Sequence, residues 1–160
     1  MHLARIEIVK KPELCNQRAL ERQAAHTLGA VQVAIQKTNV YLVRSLKPIP
    51  RACLEEIFID PIQDLRELAF GDVKTDIRPG QWAVEVQFLP GVTDNPGKAA
   101  QEALALLGHE AQVASGALYF ISGELGKEQV QALARDVLGN SFVQSMQVSD
   151  AATFIQTDRF

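Results

Sequence analysis

The sequence is poor in the residue types that most active sites are built from. Its 160 residues include only two cysteines, three histidines and one tryptophan. Cys15 and Cys53 both fall on expected helices and suit buried thiols in a reducing compartment better than a disulfide framework. His2, His26 and His109 fall on a terminus, a helix and a loop, without the spacing of a metal site, so no metal is expected. Ser115, Ser122, Ser141 and Ser145 sit in no nucleophile motif such as GxSxG. Positive charge is not in excess: 16 Lys and Arg stand against 19 Asp and Glu, which leaves no electrostatic footprint for nucleic acid. A basic–aromatic strand for RNA is also missing. No apolar run approaches the roughly 18 residues of a membrane span, and the N-terminus lacks a signal-peptide pattern. The expectation is a cytoplasmic protein with no cofactor, no nucleic-acid partner and no membrane partner. What is present, 47% hydrophobic and 22% charged residues, belongs to a folded globular chain.

Periodicity divides the chain into alternating strands and helices. Residues 3–9 alternate as a strand, which Lys10-Lys11-Pro12 ends. A helix capped by Asn16 carries Leu20, Ala24 and Leu28 on one face and stops at Gly29. Residues 31–36 and 40–45 read as two strands, joined by a hairpin turn at Lys37-Thr-Asn39. A helix over 50–58 presents Cys53, Leu54, Ile57 and Phe58, and a weaker strand follows over 62–70. Residues 71–81 are polar, with a Pro-Gly turn, and read as a linker.

The same order then recurs: strand 82–89, helix 96–107, strands 110–115 and 117–122, helix 126–138 and strand 142–148. Offsets between equivalent landmarks are 78 (Pro12 to Pro90, Tyr41 to Tyr119), 79 (Asn16 to Asn95, Gly29 to Gly108) and 80 (Asp60 to Asn140). A drift of two residues is what small loop insertions produce, so the expectation is an internal duplication. The implied fold is α+β: two ferredoxin-like βαββαβ repeats packed about a pseudo-twofold, with antiparallel sheets and helices on one face. The repeats span 1–70 and 82–150, and 151–160 is a tail or the start of a linker to a following domain. A single small repeat would leave one sheet face poorly covered, and Trp82 is expected to be buried between the halves.

The stretch FLPGVTDNPGKAA, residues 88–100, resembles a phosphate loop only at first sight. Five residues separate Gly91 from Gly97 where that motif has four, and Ala99 stands where a Ser or Thr should hold Mg²⁺. A strand end at Pro90-Gly91, a helix cap at Asp94 or Asn95 and Pro96 in the first turn account for the residues more simply. The open helix end still offers Gly91, Asp94, Asn95 and Lys98 as contacts for an anionic group of a substrate or partner, in the second repeat only. No catalytic residue is assigned.

On these residues the second repeat resembles the PurS-type small subunit of phosphoribosylformylglycinamidine synthase. In that family a strand leads into a Gly-Val-x-Asp-Pro-x-Gly turn and a helix ending in Leu-Gly. Gly91-Val92, Asp94, Pro96, Gly97 and Leu107-Gly108 match, with Asn95 as one extra residue. The family's later Asn-Pro has counterparts in Asn140-Ser141 and Asp60-Pro61. Two fused copies are similar to the N-terminal PurS-like region of the larger synthases. The resemblance implies a non-catalytic assembly part in purine biosynthesis, serving an ATP- and glutamine-dependent ligase. It also implies synthetase and glutaminase modules as partners, in the same chain or as separate chains, and is compatible with a homo-oligomer. The rival from another class is a tandem ACT-like regulator that binds an amino acid between its repeats. A stand-alone enzyme using the cleft between repeats has no acid–base pair or nucleophile to support it.

Overall fold

A computed structural model describes residues 1–11, 16–60, 64–65 and 77–154. Its strands are β1 (His2–Lys10), β2 (Ala34–Ser45), β3 (Asp64–Leu65), β4 (Gln81–Phe88), β5 (Ala111–Ser122) and β6 (Gln144–Asp150). The helices are α1 (Gln17–Thr27), α2 (Arg51–Phe58), α3 (Asn95–Leu106) and α4 (Lys127–Leu133), the last running into a π-helical turn, Ala134–Leu138. The fold is α+β. One antiparallel sheet has the order β1-β2-β5-β4-β6, and the two-residue β3 extends it beside β1. Among the described residues no helix is long and apolar enough to cross a membrane.

The two expected hairpins do not form. Residues 34–45 are one strand, and so are 111–122, and they pair with each other over twelve positions from Ala34↔Ser122 to Ser45↔Ala111. The backbone at the expected turn is extended, and the neighbouring strand keeps it so. A tight two-residue hairpin turn needs residues at positive φ. Lys37, Thr38 and Asn39 are not among the positive-φ residues, so they continue the ladder. Gly116 is no turn residue either. A Cβ there would lie 2.6 Å from the Val86 carbonyl oxygen, so the glycine permits close approach of β4. Each half therefore reads βαβαβ, with one long strand in place of two short ones.

The remaining boundaries move by a few residues. The cap of α3 is Asp94, and Asn95 is its first residue. The last strand begins at Gln144 and not at 142. Gly29 and Gly108 end their helices at φ +75° and +82°, as a C-terminal glycine does. The described part of the 62–70 strand is Asp64–Leu65, and most of the 71–81 linker lies outside the described residues. Cys15 also lies outside them, while Cys53 is a free, half-buried thiol.

All four helices cover one face of the sheet, in two cores, and each core draws on both ends of the chain. In the first, Ala24 of α1 and Ile35 pack with Val84, Val86, Ile121, Val130 and Leu133. In the second, Leu104 of α3 joins Ile6, Ile8, Val43, Leu54 and Phe58. Through Ala24 the first helix reaches the core of the second half, and through Leu104 the third helix, seated on β5, reaches the core of the first. Trp82 packs on the first core and its indole N–H donates to the Leu125 carbonyl at 3.1 Å. On the other face Val40, Leu42, Ala83, Leu118 and Phe120 form a third cluster, against which Ile77 and Phe154 pack.

Candidate functional site

The α3 entry turn is built by backbone constraints first. After β4, Gly91 takes φ +85°, and the Val92 N–H closes a turn onto the Leu89 carbonyl at 3.1 Å. The Leu89 N–H donates to the Val143 carbonyl at 3.0 Å, tying this turn to the one before β6. Asp94 then joins helix to sheet. Its carboxylate accepts the Gly97 N–H at 2.8 Å, the Ser115 N–H at 2.5 Å and the Ser115 hydroxyl at 2.6 Å. Gly97 is required by proximity: a Cβ there would lie 2.8 Å from the Val113 carbonyl oxygen and would also strike the Asp94 carboxylate.

Of the four predicted contact residues, Gly91 and Asp94 come together on one cavity, whereas Asn95 and Lys98 are exposed on the first turn of α3. The helix end has little to offer an anion. Pro96 has no N–H, the Gly97 N–H is already taken, and the group that takes it is the Asp94 carboxylate. The turn's polar groups fasten α3 to β5. Substituting Asp94 with Ala is expected to cost about 2 kcal/mol, from one lost cap and an N–H of Ser115 left without its acceptor. Gly97→Ala, which overpacks the same contact, is expected to cost about 1–3 kcal/mol. Urea denaturation of both variants checks this, and an unchanged midpoint for Gly97→Ala would mean that the helix sits further from β5 than described.

The cavity beside this turn has a volume of about 230 Å³ and opens where β4 leaves β5, past the Gln87↔Gly116 pair. Its wall is mostly apolar, from Val40, Leu42, Phe88, Leu89 and Val113, with Glu85 as a buried carboxylate. Glu85 belongs to a buried ionic group that sequence reading missed. The Arg5 guanidinium donates to Glu7 at 2.7 Å and to Glu85 at 3.1 Å, and these residues are only 2%, 4% and 5% exposed. A signal for them was present: Ile6-Glu7-Ile8 and Val84-Glu85-Val86 each set a carboxylate between two core residues, 78 positions apart.

Two further features border the sheet centre. Lys37, an exposed residue, lies opposite Tyr119 with its ammonium 5.9 Å from the ring centre, and partial desolvation against the sheet, then the nearby Lys10 charge, lowers its pKa. Burial raises the Tyr119 phenol, whose hydroxyl donates to the Leu138 carbonyl at 3.3 Å. At the two ends of the β2–β5 ribbon lie open clefts, of about 700 Å³ at the Ser45↔Ala111 end and about 930 Å³ at the Ala34↔Ser122 end. Among the described residues no three of His, Cys, Asp and Glu gather as a metal site would require. In comparisons with known proteins, no family model matches the chain and no curated protein matches it.

Proposed function

We propose that the chain is a tandem duplication of one ferredoxin-like, PurS-type unit, and that it acts as a non-catalytic assembly part of a formylglycinamidine ribonucleotide synthase. The observation that carries the duplication is strand register. Adding the offset of 78 to the pair Leu3↔Arg44 gives 81 and 122, and Gln81↔Ser122 is a pair of the second half. For the last strand the offset is 80; Val9↔Leu65 then maps to 87 and 145, and Gln87↔Ser145 is a pair. The offset of 78 also maps the β2–β5 ladder onto itself, with Asn39↔Ala117 at its centre. In this reading each long strand is the expected second and third strands run together. The partner that a hairpin would have supplied comes from the other half.

The assembly role rests on the resemblance of the α3 entry turn and on how its matching residues are used. Gly91 and Gly108 take positive φ, while Asp94 and Gly97 hold a helix against a strand. These are tasks of architecture, and a single sheet joined through both halves is a stiff support for larger modules. The synthetase and glutaminase modules that it would hold belong to the same polypeptide or to separate chains.

Mixing the purified chain with those two modules tests the reading. The expected result is a complex on gel filtration and an ATP- and glutamine-dependent amidation of formylglycinamide ribonucleotide that requires the chain. Failure to bind either module removes the assembly reading. A micromolar amino-acid site found by calorimetry would transfer the chain to the tandem ACT-like regulators.

A further inference from the structure

The cleft at the Ala34↔Ser122 end of the ribbon holds two cations that the fold leaves without a counterion. Arg18 and Arg22 stand one turn apart on α1, both exposed and both on the cleft wall. Arg5, Arg51 and Arg135 each pair with a carboxylate, and Arg44 donates to the Gln112 amide oxygen. Arg18 and Arg22 have no such partner among the described residues. The acid that could serve them is turned away. Glu21 lies three positions after Arg18, at the spacing of a helical ion pair, yet its carboxylate accepts the Gln17 amide at 2.9 Å and the Ile35 N–H at 3.1 Å. It is needed there because β1 pairs with β2 only from Asn39 onward, so the Ile35 N–H has no strand neighbour on that side. Glu124, next to the lining Gly123, is exposed but not on the wall. In the duplication proposed above, the offset of 79 puts Gly97 and Gln101 of α3 at the positions of Arg18 and Arg22. The plan of the repeat therefore does not call for the arginines.

We propose that this cleft binds an acidic peptide segment of another protein. Each guanidinium is a planar fork that matches one carboxylate, and side chains four apart on a helix stand about 6 Å from each other. Alternate residues of an extended peptide repeat at about 6.6 Å, so carboxylates at i and i+2 can meet the two arginines together. Ala25, Val33 and Ala34 give the rest of the wall small apolar side chains, against which a main chain can lie. The wall has no aromatic ring on which a base could stack, so a nucleic acid fits it less well. The whole chain carries a formal net charge of −3, so an acidic segment is drawn to this end and repelled by most of the remaining surface. The inference does not depend on the assembly role proposed above.

Fluorescence anisotropy with labelled octaglutamate tests it on the full chain. Wild type is expected to bind this probe at low salt and to release it as salt rises, while labelled octaglutamine stays free. Arg18→Glu and Arg22→Glu are each expected to raise the Kd at least ~10-fold, which is about 1.4 kcal/mol. The two together are expected to exchange the preference, so that the chain takes labelled octalysine instead. Glu21→Gln keeps an acceptor for the Ile35 N–H and removes a negative charge beside the arginines, so it is expected to tighten binding. Lys47→Glu, at an exposed cation on the wall of the opposite cleft, is expected to leave the Kd unchanged. Far-UV circular dichroism and thermal melts establish that each variant is folded. The proposal is overturned by a wild type that leaves octaglutamate free, by arginine variants that bind it like wild type, or by a Lys47→Glu variant that weakens it as much as they do. It is also overturned if inorganic phosphate or polyuridylate displaces the probe at lower concentration than unlabelled octaglutamate, which would assign the cleft to a phosphate-bearing ligand.

Discussion

Arg5→Met is expected to destabilise the fold by about 3–5 kcal/mol, the usual result of removing one partner from a buried ionic group. The substitution deletes the guanidinium that bonds Glu7 at 2.7 Å and Glu85 at 3.1 Å, and sets two buried like charges against each other. Glu7→Gln alone should be milder, because an amide accepts a hydrogen bond from Arg5 and carries no charge to be buried. The informative variant is the triple exchange Arg5→Met, Glu7→Leu, Glu85→Leu, which replaces the group by apolar side chains of comparable volume. It is expected to recover most of the loss, since the desolvation of three charges is then avoided. Guanidinium denaturation of the four proteins gives the comparison. A triple variant as unstable as Arg5→Met would mean that the charges themselves are needed in the folded state.

The second half of the chain, expressed alone from residue 77 onward, is expected to show no cooperative thermal transition. Without the first half, the first core loses Ala24, Ile35, Leu20 and Leu28, and β5 loses its twelve-residue neighbour. Leu104, fully buried in the whole chain, would face water instead of Ile6, Val43 and Leu54. Leaving one such leucine in water costs about 1.5–3 kcal/mol, and a domain's whole stability is about 5–15 kcal/mol. Adding residues 1–76 as a separate chain should restore a transition whose midpoint rises with concentration. A second half that melts cooperatively as a monomer would contradict the shared cores described above.

Much of this was legible in the sequence, for identifiable reasons. Helix faces such as Leu20, Ala24 and Leu28, and stops such as Gly29 and Gly108, are local features that tertiary contacts reinforce. The long strands were misread because their middles look like turns. Thr38 and Asn39 are polar, yet Thr38 is buried and Asn39 sits opposite Ala117 at the centre of the ladder. Ser115-Gly116 imitates a loop, but Gly116 admits the β4 backbone and Ser115 serves Asp94. No local pattern distinguishes a strand that turns back from one that continues to a distant neighbour; that choice is made by the partner strand. The buried ionic group escaped for the opposite reason. A charged residue within a strand reads as solvent-facing, and only the fold brings Arg5 and Glu85, 80 positions apart, into contact.

The unbroken β2–β5 ladder also sets a length. Twelve paired residues rising about 3.3 Å each make a bar of roughly 40 Å. It carries one cleft at each end, the first beside Leu46 and the other beside Arg18 and Arg22. Because extended backbone can neither stretch nor, when paired along its whole length, fold up, that spacing is a dimension of the molecule and not an average over motions. The ribbon is a ruler, and whatever engages both of its ends must match its length.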